Sequence, residues 1–192
     1  SEDYRSLCYS MPSKYGAVKR VNIIRDSTSL RRNLNLYVLS EANDGTLAIS
    51  NSTIKENLKQ WLSQSKMISD TIDILDAKII NIGIEFSAIA ALDTNKFDVL
   101  SAAVSKLAAY YASKFEIGQP FYVSDIYTQL NKMKGVIDVT KVKIVQKSGL
   151  NYASNPVDIN MLYSADGSYI DCPKNVIFEI KYADIDIKGT IK

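Results

Sequence analysis

Three aspartates, Asp70, Asp73 and Asp76, recur at three-residue spacing. On a helix that spacing would bring three carboxylates to one face, where they could ligate a hard cation or handle a proton. The segment around them reads as extended, however, and no glycine falls where a calcium loop needs its sharp turn, so a solvated strand edge is the plainer reading. Asp184 and Asp186 alternate with Ile185 and Ile187, the pattern of a half-exposed strand. Histidine is absent from all 192 residues. Its absence removes Ser-His and Cys-His nucleophiles, imidazole metal ligands and the commonest general base. The two cysteines, Cys8 and Cys172, lie far apart and read as reduced, small apolar residues rather than as a disulfide framework or a zinc site. No glycine-rich phosphate loop, HExxH or GxSxG pattern occurs. The residues therefore predict no catalytic centre, no metal and no cofactor. Carboxylate chemistry remains the distant alternative, and it would need a cleft of convergent, pKa-shifted acids.

The remaining candidates are contact residues. Arg25, Arg31 and Arg32 flank or sit in the polar stretch 26–33 between two strands. They form either a solvated loop or an ion-pairing surface for a partner chain. Nucleic acid is a poor fit, because no aromatic platform accompanies them and 23 basic residues stand against 21 acidic ones, a net charge of +2. Phe178, Ile180 and Tyr182 alternate along a C-terminal strand and are the second candidate contact face. The 12 tyrosines suit interfaces, although Tyr4, Tyr111 and Tyr122 fit core faces equally well. No apolar run approaches ~20 residues, so no membrane helix is expected. The start, Ser1-Glu2-Asp3, is acidic where a signal peptide carries positive charge. It lacks an initial Met, and the chain reads as a fragment of a longer one.

These residues must be positioned by an α+β arrangement. Tyr4, Leu7, Cys8 and Met11 give a short helix ended by Pro12. Strands follow at 17–25 and 34–39, then a helix striped by Ile54, Leu58, Trp61 and Leu62, with Thr53 and Glu56 as a capping box. A long strand spans 78–90, with Ile80, Ile82, Ile84 and Phe86 on one face. Thr94 or Asn95 caps the longest helix, whose predicted stripe is Phe97, Leu100, Val104, Leu107, Ala108, Tyr111 and Phe115. Gly118 and Pro120 end it, Ser124 caps a further helix, and Gly135 leads into a strand over 136–145. Composition loosens after Lys147, with Ser148-Gly149 and Asn155-Pro156 as punctuation. Strands at 159–162 and 169–172, joined by an Asp166-Gly167 turn, precede an alternating strand at 176–182 that Ile185 and Ile187 extend. The expected fold is thus mixed β-sheets with helices on one face, including a β-α-α-β crossover block, plus a β-rich C-terminal arm. The expected divisions are 1–77, 78–147 and 148–192. The arm's apolar face must be covered by the preceding block or by another chain, and its open edge favours another chain.

Four stretches resemble the baseplate J-like family of contractile phage tails. Glu2-Asp3-Tyr4 with the run Tyr15 to Val21 is similar to the family's first helix and entry strand, Asn35 to Leu39 to its second strand, and Ser52 to Leu62 to the next helix. The most specific stretch is Gly118-Gln119-Pro120-Phe121-Tyr122-Val123-Ser124-Asp125-Ile126, leading to Gly135-Val136-Ile137-Asp138-Val139, which resembles a G-x-P-x-x-x-S-D-I … G-V-x-x-V signature. Residues 172–182 and 186–189 look like the tail of the larger wedge proteins, which are much longer than this chain. The resemblance implies a structural subunit without catalytic residues, located in the virion tail baseplate and assembled in the host cytoplasm. It implies a homodimer that joins other baseplate wedge subunits in a six-fold ring around the hub, one that rearranges before sheath contraction. Its implied partners include neither nucleic acid nor membrane. A baseplate module of another contractile injection machine is the alternative.

Overall fold

A computed structural model describes residues 2–27, 32–66, 70–155 and 157–192, the side chain of Arg32 excepted. The chain is α+β and separates into two compact units whose segments interleave. Unit one holds residues 1–78, 116–118 and 173–177; unit two holds 79–115, 119–172 and 178–192.

In unit one, α1 (Glu2–Tyr9) carries Glu2 and Asp3 in its first turn, where the helix dipole favours anions. Strand β1 (Arg20–Arg25) runs antiparallel to β2 (Arg32–Glu41), from Arg20 opposite Leu39 to Arg25 opposite Leu34. The short β3 (Leu47–Ala48) folds back on the end of β2. Helix α2 (Ser52–Ser63) is followed by β4 (Asp70–Asp76), which lies parallel to β2. The core joins Tyr4, Cys8 and Met11 of the opening segment, Leu58 and Leu62 of α2, and Val21, Leu36, Val38 and Ile72 of the strands. Trp61 Nε1 donates to the Leu7 carbonyl at 2.9 Å, tying α2 to α1. The cap of α2 is Asn51, whose Oδ1 accepts from Ile54 N at 2.8 Å. The expected Thr53–Glu56 box sits two residues too late, because the helix already begins at Ser52.

Unit two is built on β5 (Lys78–Ala90), from Ile79 onward. Helix α3 (Lys96–Tyr111) follows, then β6 (Phe121–Tyr122), α4 (Val123–Asn131) and β7 (Val136–Gln146). Beyond them come β8 (Tyr169–Ile170), β9 (Val176–Glu179), of which only Phe178 and Glu179 belong to this unit, α5 (Ala183–Asp186) and β10 (Ile187–Ile191). Strand β7 lies antiparallel to β5, from Ile82 opposite Gln146 to Ala90 opposite Val136, with two register shifts near the far end. Strand β10 lies parallel to β5, Ile187 opposite Ile84 and Ile191 opposite Ala88. Gly189 permits close packing against α3, since a β-carbon there would overlap the Phe86 ring and lie 2.6 Å from Leu100 Cδ1. Strands β6 and β8 form a separate antiparallel pair.

Several expectations change. Asn95 does cap α3, its Oδ1 accepting from Phe97 N at 3.0 Å, but the buried stripe is Val99, Ala103, Leu107 and Tyr111, and Phe97 is 80% exposed in the first turn. The cap residue of α4 is Tyr122 rather than Ser124, which already lies inside the helix and accepts at its carbonyl from Thr128 Oγ1. Residues 159–162 form a 3-10 turn rather than a strand. The C-terminal strand stops at Glu179 with all four residues buried, and 183–186 is a helical turn rather than extended chain.

The compact units follow other boundaries than the three expected spans. The loose stretch after Lys147 is stitched to β5: Ala153 N donates to Asn81 Oδ1 at 2.7 Å and Asn155 Nδ2 to the Ile79 carbonyl at 3.4 Å. Gln146 bonds the Val157 carbonyl through Nε2 and Ile159 N through Oε1. Beyond this stretch Ile159, Ile170, Phe178 and Ile187 are buried within the chain, whereas Met161 and Ile185 stay exposed.

Candidate assembly surface

The acidic positions resolve into structure. Asp70 is not a solvated edge residue: it is buried in β4, and Tyr4 Oη donates to its Oδ2 at 2.7 Å. Asp73 accepts from Asn33 Nδ2 at 2.9 Å and Asp76 pairs with Lys55 at 2.7 Å, both on the exposed side. Asp186, expected on a half-exposed strand, is buried as well. Tyr152 Oη donates to its Oδ1 at 2.7 Å, Tyr182 N to its Oδ2 at 3.0 Å, and Lys147 Nζ lies 3.7 Å away. The bond to Asp186 holds the Tyr152 hydroxyl protonated, pushing its pKa up to about 12. Burial pushes the Cys8 thiol up to about 12 and raises the Tyr111 hydroxyl too. Among the described residues no group of three metal-ligating side chains occurs, and no helix is long and apolar enough to cross a membrane.

The contact candidates scatter. Arg25 ends β1 with an exposed side chain, Arg32 opens β2, and Arg31 lies outside the described residues. Phe178 is 1% exposed, its ring 6.3 Å from Phe121 within a cluster that also holds Tyr111 and Phe115. Ile180 and Tyr182 are half-buried, Tyr182 lying edge-on to Tyr152 at 5.8 Å. Arg25 and Arg32 belong to unit one, and Phe178, Ile180 and Tyr182 to unit two.

A different set of apolar side chains stands open at one end of unit two. Leu92 follows β5, Phe97 lies in the first turn of α3, and Ile137 lies in β7; they are 105%, 80% and 64% exposed. Their backbones converge where β5 leaves the sheet and β7 enters it: Ala90 pairs with Val136, and Ala91 N donates to the Gly135 carbonyl at 2.9 Å. Gly135 has φ +89°, and a β-carbon there would lie 3.2 Å from Thr94 and Val99, so this corner is tightly made beneath an apolar surface. Sequence reasoning missed it because Phe97 matches a helical core stripe and Ile137 a strand pattern. The only local signal was Leu92, an apolar residue between a strand and a polar turn.

Charge pairs trim other surfaces. Glu116 meets Arg5 at 3.2 Å and Arg20 at 3.5 Å, and Asp125, in the first turn of α4, meets Lys114 at 2.9 Å. Exposed pairs of this kind contribute little to stability, about 0–1 kcal/mol each.

No protein-family model matches the chain, and no curated protein matches it in sequence. Among solved structures, a chain of the anti-feeding prophage baseplate, determined by cryo-EM with six-fold symmetrisation, shares its fold. The TM-score is 0.55 at 12% identity, over 93% of this chain and 36% of that one. The chain thus spans about a third of the length of this neighbour, and the likeness is one of fold.

Proposed function

We propose that the chain is a structural, non-enzymatic component of the baseplate of a contractile, phage-like tail. The observation that carries this is the fold shared with the anti-feeding prophage baseplate over 93% of the chain. The signature at 118–126 and 135–139 points the same way, and its demands are architectural: Gly118 takes φ +77° and Gly135 φ +89°, conformations that L side chains rarely adopt. The buried carboxylates are held by donors of the same chain, which suits a scaffold.

In the finer form of this proposal, the chain is part of a wedge subunit that pairs with a second copy, joins other wedge subunits and builds a ring around the hub. The ring rearranges as the sheath contracts, and assembly takes place in the host cytoplasm. The six-fold symmetrisation of the neighbour's structure supports the ring. The open corner of Leu92, Phe97 and Ile137 is the proposed contact, because exposed apolar clusters mark association sites. A second reading, a baseplate module of another injection machine, is favoured by the neighbour's being an anti-feeding prophage rather than a virion.

The test is localisation. Gold-labelled antibody against the chain, applied to tail particles purified from the source cells, is expected to mark one tail end. Label along the shaft, or particles without label, overturns the reading.

A further inference from the structure

The sheet of unit two carries α3 on one face, where Phe86 and Gly189 meet Leu100. On the opposite face the strand registers set side chains in two rows, Lys188–Glu85–Lys143 and Thr190–Ser87–Lys141, drawn from β10, β5 and β7. Ser87 is half-buried and the other five are exposed. Together they line a shallow depression of about 250 Å³. Adjacent strands lie ~4.8 Å apart and same-face residues ~7 Å along a strand, so Lys143 and Lys188 stand ~10 Å apart across Glu85, with Lys141 one repeat further along. These two rows carry three lysines against one glutamate, and the next row along the face sets Asp138 opposite Ile89. Lys19, Lys55, Lys114 and Lys147 are taken up in ion pairs, whereas Lys141, Lys143 and Lys188 have no ion-pair partner within 4 Å among the described residues.

We propose that this open sheet face docks an acidic protein surface on a neighbouring subunit; the assembly setting rests on the baseplate reading above. The ligand chemistry follows from the grid. Carboxylates on alternate residues of a partner strand repeat at the same ~7 Å as Lys141 and Lys143. The Ser87 and Thr190 hydroxyls stand beside the ammonium groups as further donors. Nucleic acid fits worse. Glu85 sits between Lys188 and Lys143, where a phosphate backbone would meet a like charge, and Phe86, the aromatic among the lining residues, is buried. Complementary charge of this kind sets partner choice and encounter rate, and it is screened by salt.

The experiment measures binding of the whole chain to poly-L-glutamate and, separately, to a short DNA duplex at low salt. Binding to poly-L-glutamate that weakens with salt is expected, and Lys141→Gln/Lys143→Gln/Lys188→Gln should lower the affinity by about tenfold or more. A control set of exposed lysines elsewhere, Lys59→Gln/Lys96→Gln/Lys132→Gln, removes the same charge and should change it by about twofold at most. Equal losses in both sets, no loss in the first, or tighter binding of DNA through the same lysines overturns the proposal. If the triple variant melts early, Lys141→Gln and Lys188→Gln alone decide the matter, since each leaves Glu85 beside Lys143. A chain absent from tail particles that still binds poly-L-glutamate through these lysines would lose the assembly reading but keep the docking face. A chain found in particles without such binding would lose only the docking face.

Discussion

Ending the chain at Lys147 should unfold unit two rather than release an arm. The truncation removes β10 and β9 from the side of β5 and strips the buried side chains Ile159, Ile170, Phe178 and Ile187 from the same unit. Burying an Ile or Phe stabilises by about 1.5–3 kcal/mol, so four of them represent about 6–12 kcal/mol. That is comparable with the whole stability of an ordinary domain, about 5–15 kcal/mol. Two further losses compound it: β5 gains an unpaired edge, and Asn81 loses Glu179 and the Ala153 amide from its side chain, leaving a polar group in the core. The assay is thermal unfolding of residues 1–147 beside the full chain, followed by far- and near-ultraviolet circular dichroism. The expected trace has no cooperative transition attributable to unit two, and the truncated chain should be prone to aggregate. A soluble product whose unit-two aromatic signals survive and melt cooperatively would refute the reasoning, and the C-terminal 45 residues would then be dispensable to that core.

The helix phase can be checked by two aspartate scans: Leu107→Asp, at a fully buried site, should cost several kcal/mol and abolish the melt, whereas Phe97→Asp should leave the melting temperature within a few degrees. Tyr111→Phe should raise stability by about 1 kcal/mol, because the Tyr111 hydroxyl is buried with no hydrogen-bond partner among the described residues; a lower melting temperature would contradict this. Alkaline stability has a defined sign. The hydrogen bond to Asp186 raises the Tyr152 pKa from the usual 10.0 to about 12, so its contribution is complete below about pH 10 and is lost as pH rises towards 12. Melting temperatures between those values should fall less steeply in Tyr152→Phe than in the parent chain, and an unchanged slope would show that the Asp186 bond does not govern it.

Much of the local architecture was legible. The two-residue period of Ile80, Ile82, Ile84 and Phe86 located β5 to the residue, and Gly118 and Gly135 adopt the positive φ angles expected where the chain must turn sharply. Asn95 caps α3 as its sequence position suggests, because capping acts within a few residues, but the helix already ends at Tyr111, well before Gly118 and Pro120. What failed was nonlocal. The phase of α3 is set by Phe86 and Gly189 on the sheet beneath it, so Phe97 looked like core from spacing alone. The alternation at 176–182 suggests one open face, yet Val176, Ile177, Phe178 and Glu179 are all buried, Phe178 against Phe121, a residue far earlier in the chain. Of the contact candidates, Phe178 is buried and Arg25 exposed, while Arg31 and the Arg32 side chain lie outside the described residues.

The buried carboxylates illustrate the same limit and bear on function. Asp70 and Asp186 looked like surface residues because charged groups are rarely buried without partners. Their partners lie 66 residues away at Tyr4 and 34 away at Tyr152. An acid held for catalysis needs an oxygen facing a substrate and a proton path to it. Asp186 instead spends Oδ1 on Tyr152 and Oδ2 on the Tyr182 amide, and Glu179 accepts from Asn81, which in turn accepts from the Ala153 amide. This network fastens residues 147–155 and 179–186 to the central strand. Its position around Gly83, where a β-carbon would come within 2.8 Å of the Asp186 carbonyl oxygen, leaves no cleft between the acid and the sheet. Polar burial here fixes the path of the chain, so that β10 enters the sheet in the register that presents Lys188 beside Glu85. The acidic residues of unit two thus support the reading of a scaffold by what they hold in place.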